Sequence, residues 1–250
     1  MVGHAVALKH VLLLPGLACD KEVWRHQSRR LSESAIVQIA DYGSSDSIKK
    51  MAESVLRIAP ARFALAGHSM GGRIAFEIFR LVPERVTGLA LLDTAYRPFA
   101  GGDHGARERA ERLRLVDVAR RQGMRAMARE WVRNMVHAAR LSDKVLIDSI
   151  VEMFARKTPE IFAGQINALL NRPDATPILA TIACPTLVLC GRDDSWSTYA
   201  THKDIAARIP HSKLVAIENA GHMAPMERPK QVTAALVDWY SAVVREYVAR

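Results

Sequence analysis

Apolar residues along this chain fall in short continuous runs, separated by amphipathic stretches, in two zones. In the first zone, His10 to Leu14 predicts a strand, Trp24 to Leu31 a helix and Ala35 to Ala40 a strand. Ser47 to Ala59 predicts a helix with Ser47 as its N-cap, Phe63 to Ala66 a strand, Met70 to Leu81 a helix and Val86 to Leu92 a strand. The pattern returns after Pro185. Thr186 to Cys190 predicts a strand, Thr198 to Ile209 a helix, Lys213 to Ile217 a strand and Gln231 to Val248 a closing helix. Asp20, just before the first helix, reads as a cap. Strands that are apolar throughout, with helices between them, suit a parallel sheet covered on both faces.

Residues 97–180 carry no strand pattern. They are helical, rich in arginine, opened by Gly101-Gly102 and punctuated near their end by Pro173 and Pro177. The expected fold class is therefore α/β, with a mostly parallel central sheet covered by helices on both faces. The expected core domain is 1–96 together with 181–250, and 97–180 is a helical cap inserted between its parts.

Composition constrains this picture without redirecting it. The chain has 250 residues, 49% apolar and 24% charged, which suits a globular enzyme and not a disordered chain. No apolar run approaches a membrane span, so no membrane association is expected. Val11 to Leu14, preceded by Lys9 and His10, is too short for a secretory signal. Cys19, Cys184 and Cys190 are odd in number and suit no zinc site, and they read as reduced thiols of a cytoplasmic protein. The net charge of +9 raises the question of an acidic partner. No aromatic-interleaved basic motif accompanies it, so nucleic acid is not expected.

The chemistry starts at Phe63 to Gly72, which reads as a strand, then Gly67-His68-Ser69-Met70-Gly71, then a helix. A serine at the tip of a sharp strand-to-helix turn stands exposed, on strained backbone, at the positive end of the helix. Glycine on either side removes side chains that would collide with the neighbouring elements. Ser69 is the candidate nucleophile and the Met70 N–H a candidate oxyanion donor. His68 adjoins Ser69, but its side chain is expected to point away and pack beside the turn. Serine needs a base, and the base needs an orienting acid. Asp93, Asp193 and Asp194 all follow apolar strands and compete for the acid's role, Asp93 also reading as a cap of the segment after it.

From about residue 10 to 240 the chain resembles the α/β-hydrolase superfamily, in its small serine-esterase-like members with a helical cap. The turn at Ser69 carries the resemblance, together with Gly191-Arg192-Asp193-Asp194 and the loop Gly221-His222-Met223-Ala224-Pro225-Met226-Glu227-Arg228-Pro229. The resemblance implies Asp194 as the acid, last in a G-x-x-D turn, leaving Asp193 as a turn residue. It implies His222 as the base. Leu14-Pro15-Gly16-Leu17 resembles the family's oxyanion loop, with proline where histidine is usual, which implies the Leu17 N–H as second donor. Asp41 to Asp46 is a reduced version of another family loop, which weakens any transfer of substrate identity.

The expected activity is serine hydrolysis of a carboxylic ester or related acyl bond through an acyl-enzyme, with no metal or organic cofactor required. The alternatives are a carbon–carbon bond hydrolase or enol-lactonase of the same fold, or a ligand-binding member without catalysis. In the 97–180 segment, Met124, Met127, Trp131, Met135, Met153, Phe154 and Phe162 line a pocket for an apolar acyl part or simply pack the cap. Its arginines at 107, 109, 112, 114, 120, 121, 125, 129, 133 and 140 read as a solvated face beside glutamates. A contact with an acidic carrier or an anionic substrate is the sharper alternative.

Overall fold

The computed structural model describes residues 10–249; the first nine positions of the expected core segment, Lys9 among them, lie outside the described residues. Among the described residues six strands form one sheet in the order β2-β1-β3-β4-β5-β6, and every neighbouring pair runs parallel. They are β1 His10–Leu14, β2 Ile36–Ile39, β3 Phe63–His68, β4 Val86–Leu92, β5 Thr186–Gly191 and β6 Lys213–Ile217. The central strands β3, β4 and β5 are buried along their whole length, which is why their sequences are apolar without alternation. The edge strands β2 and β6 are partly exposed.

Helices α1 Arg25–Leu31, α2 Ile48–Ile58 and α3 Met70–Leu81 cross between the first strands, as the apolar spacing predicts. The element ends fall within one or two residues of expectation, and two local features differ from it. Lys21–Trp24 is a separate turn of 3-10 helix, so α1 starts only at Arg25. Ser47 occupies the N-cap position of α2 but its side chain makes no capping bond. Asp20 does cap: its Oδ1 accepts the Glu22 N–H at 2.9 Å. It also takes Arg156 in a two-pronged ion pair, a long-range contact with no signature in the sequence.

Between β4 and β5 the chain is helical: α4 Gly102–Gln122, α5 Met124–Trp131, α6 Lys144–Ala155, α7 Pro159–Leu170 and α8 Thr176–Leu179. The α6 end meets the loop after β1 through Arg156, and the stretch after α5 meets the loop after β6. This helical segment therefore lies against the carboxyl ends of the strands. In parallel α/β sheets that is the side where ligands bind. Helix α9 Tyr199–Arg208, the short α10 Ala224–Glu227 and α11 Pro229–Ala249 complete the fold. Trp239 anchors α11 to the start of β5 by donating to the Pro185 carbonyl at 3.0 Å. Among the described residues no helix is long and apolar enough to cross a membrane.

Candidate active site

The turn between β3 and α3 has the geometry its sequence demands. Ser69 sits at φ +54°, ψ −116°, a strained conformation for a residue with a side chain. Its N–H donates to the Leu92 carbonyl at 2.9 Å, and Thr94 Oγ1 donates to its carbonyl at 2.7 Å. The turn is thus held from β4. A methyl group at Gly67 would overlap the backbone at Gly71 and Gly72, and one at Gly71 would overlap the Leu14 and Pro15 carbonyls. Both glycines are required by space rather than by dihedral angle.

Ser69 Oγ and His222 Nε2 lie 2.8 Å apart, and His222 Nδ1 is 2.8 Å from Asp194 Oδ2. An ionised carboxylate can only accept, so Nδ1 carries the proton and Nε2 is free to accept the serine hydroxyl. Asp194 Oδ1 accepts the N–H groups of Trp196 at 2.8 Å and Ser197 at 3.0 Å. Burial pushes the Asp194 carboxyl upward, but the imidazole and these N–H donors outweigh burial and hold it below the usual carboxylate range.

The two competing aspartates sit elsewhere. Asp193 has a half-exposed side chain 3.7 Å from His137, and its N–H ties the turn to the Ala220 carbonyl at 3.0 Å. Asp93 is wholly buried, with φ +47°, and its Oδ1 accepts the Gly191 N–H at 2.8 Å. It holds the turn that carries Asp194 rather than the imidazole. Burial, and then the Asp194 charge, push its carboxyl well above the usual range.

His68 packs beside the turn as expected, with Trp24 edge-on to its ring. Its Nε2 is 2.8 Å from the His222 carbonyl, to which it donates. Burial pulls its pKa to about 3, so its 3.9 Å approach to Asp93 is no ion pair. Leu17 and Met70 are buried, and a side chain at Gly16, next to Leu17 in the chain, would press on Ser69 and His68. The Met70 N–H lies in the first turn of α3, where no helical acceptor exists. In the other loop, the Ala18 N–H goes to Gln165 Oε1 at 2.8 Å and the Cys19 N–H to the Gly16 carbonyl at 3.1 Å. Cys19 and Cys190 are buried, and burial holds both thiols protonated.

Several residues that shape the site gave no sequence signal of their role. Glu227 accepts the Gly221 N–H at 2.9 Å and the His137 N–H at 2.7 Å, tying the histidine loop to the segment after α5. His202 Nε2 accepts the Thr94 N–H at 3.0 Å and so supports the serine turn. Trp196 stands against the His222 ring with 4.9 Å between centroids. Of the apolar residues read as pocket lining or as cap packing, Met124, Met127, Met135, Met153, Phe154 and Phe162 are buried, as the packing alternative expects, and Trp131 nearly so. Five of its arginines are in ion pairs: Arg114 with Glu111 and Glu130, Arg121 with Asp117 and Arg125 with Glu152 are exposed, as a solvated face would be, whereas Arg112 with Glu108 and Arg140 with Asp143 are partly buried.

Comparison with known proteins agrees with this architecture. Residues 11–236 match the model of the alpha/beta hydrolase family. A pimeloyl-[acyl-carrier protein] methyl ester esterase of Edwardsiella ictaluri is 27% identical, over 92% of this chain and 93% of its own. A thermophilic esterase from Thermogutta terrifontis is 29% identical with a TM-score of 0.82, covering 95% of this chain and 91% of that one. The enol-lactonase from Burkholderia xenovorans LB400 shares the fold at a TM-score of 0.81 and 24% identity, over 94% and 92% of the two chains. With nearly its whole length matched, the chain belongs to the alpha/beta hydrolase family and is an enzyme of the hydrolase kind.

Proposed function

We propose that this hydrolase cleaves a carboxylic ester through an acyl-enzyme on Ser69, with His222 as base and Asp194 as its orienting acid. The observation that carries the reading is the unbroken line from Ser69 Oγ through the imidazole to Asp194, both contacts at 2.8 Å. As Ser69 Oγ attacks the carbonyl carbon, its proton passes to His222 Nε2. The N–H groups of Met70 and Leu17 receive the developing oxyanion. When the tetrahedral intermediate collapses, Nε2 returns the proton to the leaving alcohol oxygen. Water then attacks the acyl-enzyme with the same base, releasing the acid and restoring Ser69. Asp194 keeps the proton on Nδ1 throughout. In this reading residues 97–180 form the cap, which shapes the substrate space above Ser69.

A panel of p-nitrophenyl esters of increasing acyl length tests the reading. Wild type is expected to turn over the shorter members and Ser69→Ala to lose nearly all turnover, because the three side chains act as a unit. An organophosphonate should label Ser69 and no other serine, as read by mass spectrometry. Full activity in Ser69→Ala would overturn the mechanism. One of the relatives acts, by its name, on an ester held by an acyl-carrier protein. That supports an acidic carrier as the partner of the cap arginines not engaged in ion pairs. Equal rates on carrier-bound and free esters at every salt concentration would exclude it.

A further inference from the structure

Aromatic residues are scarce, 6% of the chain with four tryptophans, yet four rings run in contact from inside the helical segment to the base. Phe154 and Phe162, on α6 and α7, lie 5.5 and 5.7 Å from Trp131 at the end of α5. Trp131 stacks on Trp196 at 5.3 Å and 25°. Trp196 in turn leans on the His222 ring. Exposure rises along this line: both phenylalanines are fully buried, Trp131 is 8% exposed and Trp196 39%. We propose, on the ester-hydrolase reading above, that Trp196 is a specificity-determining residue that selects esters with a planar, unsaturated group on the alcohol side.

Three observations carry this. The first is position. His222 Nε2 must come within about 3 Å of the leaving oxygen to protonate it. The carbon on that oxygen is then within reach of the indole that touches the imidazole. On that reading the carbonyl oxygen is held by Met70 and the loop after β1, whereas Trp196 touches the base that serves the leaving oxygen. The alcohol group meets the ring.

The second is rigidity. The Trp196 backbone N–H is held by Asp194 Oδ1 at 2.8 Å, and its ring is backed by a buried tryptophan. A platform already fixed in place loses little freedom when a ligand covers it. The third is exposure. Trp196 is the outermost of the four rings and is 39% exposed, while it also touches the imidazole of the base, so part of its apolar surface stays open next to His222. A cationic alcohol would also suit an indole face, but the net charge of +9 opposes it. A neutral planar group is left as the better match.

The test pairs benzyl acetate with cyclohexylmethyl acetate. Both give the same acetyl-enzyme and release primary alcohols of similar basicity, so they differ mainly in the planarity of the ring. Wild type is expected to favour the benzyl ester in kcat/KM by roughly 3- to 10-fold, the range of aromatic stacking preferences. Trp196→Ala should bring the ratio to about one, and Trp196→Phe, which keeps a planar face, should retain most of it. Both esters are read on one preparation, so the folded fraction cancels in the ratio. Trp196→Leu supplies a second variant if the alanine form does not fold. Cleavage of both esters at equal rates by wild type, or an undiminished ratio in Trp196→Ala or Trp196→Leu, would overturn this inference alone. Failure of wild type to cleave either ester, with Ser69 unlabelled by phosphonate, would instead overturn the ester-hydrolase reading and this inference with it.

Discussion

The side-chain oxygen of Gln165 accepts the backbone N–H of Ala18 at 2.8 Å, joining α7 to the loop after β1. Ala18 has φ +58°, so the loop is held in a conformation that alanine rarely adopts. Leu17, the proposed oxyanion donor, is its neighbour. Gln165→Met keeps the length of the side chain and removes the acceptor. A buried N–H left unpaired costs about 1–3 kcal/mol, and the loop can relieve that cost only by moving. Since the oxyanion contact matures in the transition state, kcat on a short ester should fall roughly 10-fold or more, with KM changed far less. Steady-state kinetics giving a kcat within twofold of wild type would show that the loop keeps its shape without Gln165.

Glu227 makes a second tie between the two layers. Its carboxylate receives N–H groups from Gly221, beside the base, and from His137, in the helical segment. Burial raises its pKa, against the pull of those donors. Glu227→Ala leaves one buried and one partly buried donor unpaired, a loss of roughly 2–5 kcal/mol. At this chain length that lowers Tm by about 5–15 °C. Glu227→Gln keeps one accepting oxygen and should lose about half as much. Thermal scans in which the two variants melt together would refute the paired-acceptor role.

The legible and the hidden parts of this molecule divide along sequence distance. β3, Ser69 and α3 form one local unit, so spacing alone predicts α3 at Met70–Leu81, the start of β3 and the need for small residues at 67 and 71, although β3 runs on through Gly67 and His68. β5 is equally plain, because a buried parallel strand is apolar throughout, and β6, though a partly exposed edge strand, still shows the apolar run Leu214 to Ile217 after Lys213. The choice among Asp93, Asp193 and Asp194 was not local. All three follow strands, and only the assembled sheet puts Asp194 on the imidazole and Asp93 under Gly191. Gln165, Glu227 and His202 were silent for the same reason. Each acts on backbone groups far away in sequence or across a loop, and such a partner leaves no periodicity. Trp196 was silent because one aromatic residue in a charged turn matches no pattern until Trp131 is seen to stack on it.

Gly71 tests how tightly the serine turn is set against β1. A methyl group there meets the Leu14 and Pro15 carbonyls, which are backbone and cannot swing away. Gly71→Ala must therefore separate α3 from the sheet, and overpacking of this kind costs about 1–3 kcal/mol or more. Phosphonate labelling of Ser69 should fall at least 10-fold in whatever protein folds. Labelling at the wild-type rate would mean that the turn tolerates the shift.

Asp93 makes a prediction about pH and stability. Its folded-state pKa is raised well above the ordinary value by burial, and further by the nearby Asp194 charge. Above about pH 4 the unfolded chain releases this proton while the folded chain keeps it. The folded state then binds more protons, so this group's contribution to stability falls by about 1.4 kcal/mol per pH unit until the folded pKa is reached. Asp93→Asn keeps an oxygen for the Gly191 N–H, tolerates the positive φ and has no proton to lose. This variant should therefore melt near wild type at pH 4 and above it at higher pH, with the gap widening until the folded pKa of Asp93 is passed and constant beyond it. Urea unfolding across that range measures the gap directly. A gap that stays constant, or that opens toward acid, would mean that Asp93 is ionised in the folded protein and that its free oxygen finds a partner.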